Sequence, residues 1–411
     1  MISKELLLSI LKGKGNNPNK VKIECYALEV EDSVLSQLLD TAKLPFLKEL
    51  AIMPDCHAGA GIPVGVALKF DDNHICPPAV GVDIGCGVSA YKTKYTADQI
   101  RPHLEQIKKL LEVMIPVNAN LHEKPFNWAY PKMTKIGEKI YGEKNANRAL
   151  GTLGGGNHFV EIGVGEDGYV WGIVHSGSRG FGHGVGVHYQ KVCAANSNNP
   201  RVGEMVVVSV DSPEGQDYLQ DLNVCLEYAL QNRLLMTNAI LQAIHMAVEN
   251  TGVAPNFLNQ ISKLPEPLFI NRNHNHAVFE NGGWVIRKGA THAAKDMYGV
   301  LPINMAHGTY IVKGIGNEDA LRSAPHGAGR RMSRKAARSL DVATHINDMA
   351  GIVCDSPAES IDECQAAYKD PDLILSSIDE LMTISERIVP LLNQKGTKGI
   401  AYGKKGVSDC E

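Results

Sequence analysis

Two short clusters place aspartate and cysteine side chains among glycines, where they can bind a metal ion. The first is MPDCHAGAGIPVG, which holds Asp55, Cys56 and His57, and the second is GVDIGCG, which holds Asp83 and Cys86. An aspartate and a cysteine three positions apart in a turn can reach one ion from the same side. A thiolate together with a carboxylate suits zinc or manganese. A buried structural cysteine beside a turn aspartate remains the other interpretation.

Histidines at the ends of predicted strands extend this candidate ligand set. His158 follows a glycine run in GGGNHFVE, His175 ends the apolar strand YVWGIVH, and NRNHNHA supplies His274 and His276. Neutral imidazole is a common metal ligand, so three such histidines with the aspartate and cysteine would fill one or two metal sites. Each histidine taken singly is more often a hydrogen-bonded polar residue than a ligand.

The segment APHGAGRRMSRKAARSL combines a potential nucleophile with a basic patch. His326 precedes Gly-Ala-Gly, and basic residues follow with no acid among them: Arg330, Arg331, Arg334, Lys335 and Arg338. Backbone N–H groups of a small-residue loop at the start of a basic helix can bind phosphate, and arginines bind it bidentately. An imidazole nitrogen placed there can form a covalent phosphoramidate. An exposed basic helix face is the alternative interpretation.

Strands and turns are predicted to position these clusters. The pattern of the first 95 residues is typical of strands, as in VKIECYAL, IPVGVALKF and GVSAYKTKY, and strands are expected again from about residue 268. Helical periodicity covers residues 97–114 and about 132–145. Ser212-Pro213-Glu214 opens a long helix that runs to Asn250, and we interpret this helix as architectural. Further helices are expected after His326, near 357–367 and over 372–393.

Composition limits the class of protein. The 411 residues carry a net charge of −4, so nucleic acid would have to bind a local basic patch. The opening MISKELLLSILKGKGNN lacks the long apolar run of a secretory signal, and no stretch predicts a membrane span. Nine cysteines without a CxxC pair favour the reducing cytoplasm. The chemical clusters lie between residues 55 and 329, which favours one composite site over separate domains.

The chain resembles the RtcB family of RNA ligases in the order and spacing of its motifs. These motifs are MPDCHAGAGIPVG, GVDIGCG, GTLGGGNHFVEI, HSGSRG, NHN, RKGA and APHGAGRRMSR, with AYKD following at 367–370. The resemblance runs from about residue 45 to 396. It implies an α+β, single-domain RtcB-type fold over residues 1–396, with β-sheets around a dinuclear metal cleft and peripheral helices. Residues 397–411 are then a C-terminal Lys/Gly-rich extension.

The resemblance also implies a reaction. Two Mn²⁺ ions would share Cys86 as a bridging ligand, with Asp83, His158, His175 and His274 as the other protein ligands. His326 would attack the α-phosphate of GTP, giving a histidine–GMP intermediate and pyrophosphate. GMP would pass to an RNA 3′-phosphate, and a 5′-hydroxyl would then displace GMP and seal the strand. A 2′,3′-cyclic phosphate end would first be opened by hydrolysis. The setting would be tRNA splicing or RNA repair.

A guanylate pocket and RNA-end contacts follow from the same resemblance. The pocket would comprise Asn157, His158, Phe159, Val160, Glu161, His274, Asn275, Pro302, Ile303, Asn304, Met305, Thr309, His326, Gly327, Ala328, Gly329 and Lys395. The residues expected to bind RNA ends or to assist attack are Asp55, Arg179, Arg330 and Arg334. The loop from Pro302 departs from the Pro-Gly-Ser-Met-Gly of the family, and Thr309 replaces a serine. These departures leave the choice between GTP and ATP open.

Two other functions fit parts of the pattern. The histidine-rich metal set and the NHNH stretch suit a metal-dependent RNA phosphodiesterase, because hydrolysis needs metal-activated water and no covalent histidine. An inactive RNA-end sensor is the third hypothesis. The expected partners are RNA with the ends named above and an archease-type activator, with no membrane. The sequence does not determine the oligomeric state.

Overall fold

A computed structural model describes residues 1–396 as a mixed α/β chain built on two large sheets. In chain order its strands are β1 Ile2–Ser3, β2 Lys22–Cys25, β3 Glu29–Val30, β4 Leu47–His57, β5 Val64–Phe70, β6 His74–Ile75, β7 Gly87–Thr96, β8 Phe159–Val164, β9 Tyr169–Ser176, β10 Arg201–Val202, β11 Met205–Val206, β12 Val208–Ser209, β13 Phe269–Asn273, β14 Asn275–Glu280, β15 Gly283–Lys288, β16 Ala290–His292, β17 Tyr298–Asn304, β18 Gly308–Gly314, β19 Ser323–Pro325 and β20 Met382–Lys395.

Helices surround these sheets. They are α1 Lys4–Leu11, α2 Asp32–Ala42, α3 Pro77–Val80, α4 Ala97–Ile100, α5 Leu104–Met114, α6 Lys135–Glu143, α7 Ala146–Ala149, α8 Arg179–Ala195, α9 Pro213–Val248, α10 Leu258–Ile261, α11 Arg334–Ala337, α12 Val342–Asp348 and α13 Pro371–Leu375. Short 3₁₀ turns cover Arg101–His103, Ile361–Glu363 and Gln365–Ala367. No helix within residues 1–396 is both long and apolar enough to span a bilayer.

The larger sheet has seven antiparallel strands in the order β13-β7-β9-β8-β20-β18-β17. Its two edge strands approach each other, so the sheet curls toward a barrel. One apolar cluster fills the inside, where Ile270 of β13, Val300 of β17 and Trp171 of β9 are buried together. A five-stranded sheet, ordered β14-β15-β5-β4-β2, packs beside it. Its only parallel pair within residues 1–396, β2 with β4, is connected through α2.

The long helix α9 joins the two halves of the core. At about 1.5 Å per residue, its 36 residues extend roughly 54 Å. Tyr218 and Cys225 near its start belong to the cluster behind the five-stranded sheet, whereas Ile240 and Ile244 belong to the cluster behind the seven-stranded sheet. The predicted extent of this helix is confirmed, as are the helices over 97–114 and 132–145.

The predictions of helix over 372–393 and near 357–367 are wrong. Beyond the short α13, most of the first segment is β20, which pairs with β8 and β18. Pairing with strands that are distant in the chain overrides the local helical spacing of the apolar residues. The second segment forms only 3₁₀ turns. The prediction of a basic helix directly after His326 is also wrong, because the helix begins only at Arg334 and is four residues long.

The prediction that the first 95 residues form strands and turns misses the helices α1 and α2. The helix α8 was also not predicted, because it lies in the glycine-rich block. Glycine disfavours helix, so the sequence of α8 argues against its observed structure. Tertiary packing explains why this helix nevertheless contains glycines. A Cβ at Gly186 would meet the Cα of Val82 at 3.1 Å, so glycine lets α8 lie against the loop that carries Asp83.

Candidate active site

Neighbouring strands of the seven-stranded sheet bring the predicted metal ligands together. Cys86 immediately precedes β7, and its neighbour Gly87 pairs with Ser176 beside His175 and with Asn273 beside His274. His158 immediately precedes β8, and its neighbour Phe159 pairs with His175. Ligands that lie far apart in the chain thus meet at one end of adjacent strands. A further bond holds this arrangement, because the backbone N–H of His274 donates to the carbonyl of Cys86 at 2.7 Å.

Two groups of potential ligands share the Cys86 thiol. One consists of Cys86, His175 and His274, and the other of Asp83, Cys86 and His158. The Cys86 sulfur lies 3.2 Å from His175 Nε2 and 3.4 Å from His158 Nε2. His158 Nε2 lies 3.2 Å from Asp83 Oδ2, and the Nε2 atoms of His175 and His274 are 3.3 Å apart.

The histidines of these groups are suited to a bound cation. His158 Nδ1 lies 3.0 Å from the carbonyl oxygen of Leu153, which only accepts, so Nδ1 carries hydrogen. In the neutral imidazole, Nε2 then turns its lone pair toward Asp83 and Cys86. Burial, followed by nearby positive groups, lowers the pKa of His175 and His274 well below the ordinary value, which keeps both neutral. Such convergent lone pairs repel one another unless a cation lies between them, so the residues fit a metal centre.

His326 lies beside this centre and is oriented by Asp55. The Asp55 Oδ2 atom lies 2.7 Å from His326 Nδ1, and it accepts hydrogen bonds from the backbone N–H groups of His326 and Gly327 at 3.1 and 3.3 Å. The rings of His326 and His274 are 4.6 Å apart, centre to centre. Since Nδ1 faces this carboxylate at ion-pair distance, Nε2 is the nitrogen available for attack. Two N–H groups that the sequence assigned to a phosphate cradle are therefore engaged by Asp55.

Lys369 connects the two segments that meet at Asp55 and His326. Its Nζ atom donates to the carbonyls of Cys56 at 2.7 Å and Pro54 at 3.5 Å, the residues flanking Asp55. Its backbone N–H donates to the carbonyl of Gly329 at 3.0 Å. Gly329 has φ of +71°, and a Cβ there would lie 2.3 Å from the Asp55 carbonyl oxygen. Only glycine allows this close approach.

One cleft joins four of the five predicted metal ligands, all except His158, to most of the expected guanylate residues. It holds about 900 Å³ of empty space counted to its open mouth. Strand alternation in β8 turns Phe159 and Glu161 into the cleft, whereas Val160 is buried in the core on the other face. Other predicted pocket residues that line the cleft are Asn157, Asn275, Pro302, Ile303, Asn304, Met305, Gly327, Ala328, Gly329 and Lys395. Thr309 is buried behind this lining.

Glu161 is a carboxyl group without a well-formed hydrogen bond at its Oε1 atom within residues 1–396. It is 2% exposed. Burial raises its pKa to about 8, and only the nearby Thr309 hydroxyl acts in the other direction. Both Glu161 Oε1 and Thr309 Oγ1 are buried polar atoms whose bonding is incomplete. A buried acceptor in a cleft wall is suited to a ligand that donates hydrogen bonds.

Glu363 was missed by the sequence analysis, although it lines the cleft. It pairs with Arg330, Arg334 and Lys395, and Tyr368 donates to its Oε2 at 2.6 Å. Burial opposes its ionisation, but Lys395 and the two arginines hold the pKa of Glu363 far below its usual range. The run Arg330–Arg338 is therefore neutralised on its inner side, and its exposed cations are Arg331, Lys335 and Arg338.

Arg179 lies near the metal ligands without lining the cleft. Its Nε atom donates to Thr152 Oγ1 at 2.8 Å and its Nη2 atom to the Asn118 carbonyl at 2.7 Å. Four residues to which the sequence analysis assigned no role also line the cleft: His57, Lys288, Tyr368 and Asn393. Two sequence motifs could have identified two of these residues. RKGA contains Lys288, and AYKD contains Tyr368.

Comparison with known proteins gives a consistent result. The family model for tRNA-splicing ligase RtcB matches residues 37–143 and 128–396. RNA-splicing ligase RtcB of Escherichia coli (strain K12) is 32% identical over 405 residues, which cover 92% of this chain and 97% of that protein. The tRNA-splicing ligase RtcB of Pyrobaculum aerophilum is 27% identical over 457 residues, with 88% of this chain and 92% of that protein covered.

Proposed function

The chain belongs to the RtcB family, and on that premise we propose that it is an RNA ligase driven by GTP and Mn²⁺. It would join RNA 3′-phosphate or 2′,3′-cyclic phosphate ends to 5′-hydroxyl ends. The observation that carries the proposal is the position of His326. Its Nδ1 atom lies 2.7 Å from Asp55 Oδ2, and its ring lies beside two ligand groups that share Cys86. A hydrolase needs the ligand groups but has no need for an oriented nucleophilic imidazole.

In the proposed reaction, His326 Nε2 attacks the α-phosphorus of GTP. An N–P bond forms, the bond from that phosphorus to its bridging oxygen breaks, and pyrophosphate leaves. Asp55 stabilises the positive charge that develops on the ring. Two Mn²⁺ ions, held by Asp83, Cys86, His158, His175 and His274, would offset the negative charge of the phosphates.

The remaining steps return His326 to its starting state. An oxygen of the RNA 3′-phosphate attacks the phosphorus bonded to His326, which breaks the N–P bond and leaves GMP on the RNA. The 5′-hydroxyl of the second RNA then attacks the RNA phosphate, and GMP departs as that strand is sealed. A cyclic phosphate end requires an earlier hydrolysis to a 3′-phosphate. Arg179, Arg330 and Arg334 are proposed to contact the RNA ends.

Glu161 is the residue that favours guanine over adenine as the base of the bound nucleotide in this proposal. The Watson–Crick edge of guanine offers two adjacent donors, N1–H and the exocyclic amine, which match a buried carboxylate. Adenine places an acceptor at N1 and would face that carboxylate unfavourably. This feature outweighs the altered loop at 302–305, whose Asn304 bonds within its own turn, to the N–H groups of Ala306 and His307.

The proposal also covers the source of the RNA substrates, the partner protein and the cellular location. Substrates would come from tRNA splicing or from RNA repair, with an archease-type activator as a possible partner protein. A cytoplasmic location suits a thiol ligand, and the eight cysteines described within residues 1–396 are all free. We treat residues 1–396 as one catalytic unit. The C-terminal extension predicted at 397–411 lies outside the described residues.

Labelling the protein with nucleotide tests the proposal. Purified protein, Mn²⁺ and GTP labelled at the α-phosphate are mixed and separated on a denaturing gel. We expect acid-labile, base-stable label on the wild type and on the control His103→Ala, whose histidine lies outside the cleft. His326→Ala should lose the label yet keep its manganese.

The alternatives predict other results. Label retained by His326→Ala would reject His326 as the nucleophile, and label from ATP instead of GTP would reject the role of Glu161. An unlabelled protein that binds manganese and opens cyclic phosphate ends would be a phosphodiesterase. An unlabelled protein that only binds RNA ends would be a sensor.

A further inference from the structure

The long helix α9 has a chemical role that its sequence did not predict, because one of its arginines lies directly behind the candidate metal centre. Arg233 is completely buried. Burial lowers its pKa to about 10, so the guanidinium remains charged at neutral pH. Most buried arginines in proteins pair with a carboxylate. Within residues 1–396, the hydrogen bonds of Arg233 instead end on backbone carbonyls or asparagine amides.

Three of the four acceptors of Arg233 lie next to candidate metal ligands. Its Nη1 atom donates to the carbonyl of Gly85, which precedes Cys86, at 2.9 Å, and to the carbonyl of Ser176, which follows His175, at 2.8 Å. Its Nη2 atom donates to the side chain of Asn273, which precedes His274, at 2.6 Å. One planar group therefore contacts a sequence neighbour of each member of the Cys86, His175 and His274 group.

We propose that Arg233 is a positioning residue that holds Cys86, His175 and His274 at metal-binding separation. This inference rests on the proposed function, because it presumes that those three side chains bind one of the two ions. The three ligands come from separate segments, and the guanidinium is the group that ties the ends of β7, β9 and β13 to one helix. Without it, the ligand segments are free to shift by the fractions of an ångström that weaken a metal site.

Two further contacts fix Arg233 itself. Its Nε atom donates to the side chain of Asn271 at 2.7 Å, and Asn271 in turn donates to the carbonyl of Leu230 at 3.0 Å. The preceding residue, Asn232, donates to the carbonyls of Gly177 and Thr152. The geometry requires arginine. Lysine keeps the charge, but its single ammonium cannot reach four separated acceptors.

Manganese binding by Arg233→Lys tests this role. Metal-free protein would be titrated with Mn²⁺, with bound metal measured by elemental analysis and by electron paramagnetic resonance. We expect the wild type to bind a spin-coupled pair of ions. In Arg233→Lys, one ion should bind about 10–100-fold more weakly, the usual cost of removing an outer partner of a ligand. The remaining ion should then give the resolved hyperfine spectrum of isolated Mn²⁺.

Arg287→Lys is the matched control. Arg287 is also completely buried, but it bonds to Glu280, Ser323 and the Leu321 carbonyl. Both variants should unfold at lower temperature, and only Arg233→Lys should lose the coupled pair. If Arg233→Lys does not fold, Asn273→Ala is the second variant. It removes only the hydrogen bond from Arg233 beside His274, and it should weaken binding of the same ion by a smaller factor.

The outcomes separate this inference from the function on which it rests. Two tightly bound, coupled ions in Arg233→Lys or in Asn273→Ala would overturn the positioning role and leave the metal centre intact. Equal loss of metal in Arg287→Lys would show a general effect of destabilisation and would also overturn it. Absence of bound manganese in the wild type would overturn the metal centre itself, and this role with it.

Discussion

Replacing Glu161 with glutamine should change the nucleotide that the protein accepts. The ionised carboxyl accepts from both N1–H and the exocyclic amine of guanine, whereas the glutamine amide accepts one bond and turns an N–H toward the amine. Because Glu161 is 2% exposed, water does not screen the lost interaction. A hydrogen bond to a charged group contributes about 1.5–3 kcal/mol. At a pH above the Glu161 pKa of about 8, where the carboxyl is ionised, kcat/KM for GTP should therefore fall by roughly 10–150-fold.

The same substitution should improve the use of xanthosine triphosphate. Xanthine keeps N1–H but carries a carbonyl in place of the exocyclic amine, so it matches the acceptor and donor of the glutamine amide. The assay measures transfer of α-phosphate label from each nucleotide to the protein, with manganese content and melting temperature measured in parallel. Glutamine is nearly the same size as glutamate, and we expect the fold to be retained.

Two results would refute this reasoning about the base. If Glu161→Gln lowered transfer from GTP and from xanthosine triphosphate equally, the side chain would support the cleft without contacting the base. If transfer from GTP were unchanged, the guanine edge would lie elsewhere. The loop at 302–305 would then be the next candidate for base recognition.

Two further predictions follow from the same cleft. Burial raises the pKa of Glu161 to about 8, and the accepting form is the ionised one, so binding of GTP should strengthen as pH rises through that value. The Glu161 carboxyl is ionised in about one molecule in ten at pH 7 and in about half at pH 8, so kcat/KM for GTP should rise about fivefold over this interval. If the pH profile of Glu161→Gln kept this rise, it would contradict the assignment. Lys369→Met removes the donor that holds the carbonyls flanking Asp55, and we expect single-turnover labelling of His326 to slow by roughly 10–100-fold with GTP affinity unchanged. A parallel loss of GTP affinity, measured by equilibrium binding, would show that Lys369 supports the whole cleft and not the nucleophile alone.

Some of the architecture could be predicted from local pattern. The helix α9 carries a cap, a proline at its first turn and a long run without a breaker, so its sequence indicates its bounds closely. By contrast, β20 carries apolar residues whose spacing also suits a helix, and Pro390 within it was the one local signal against that interpretation. Its strand conformation comes from pairing with β8 and β18, which no local window contains.

The local sequence specifies which side chains are available for chemistry: an aspartate, a cysteine and histidines in glycine-rich segments, and His326 before Gly-Ala-Gly. The fold sets how these groups are arranged in space. It places Cys86 in both ligand groups, His326 against Asp55, Arg330 and Arg334 in buried pairs with Glu363, and Arg233 behind the ligands. Residue types can be read from short segments, whereas distances between residues 56 to 271 positions apart in the chain depend on sheet register and packing.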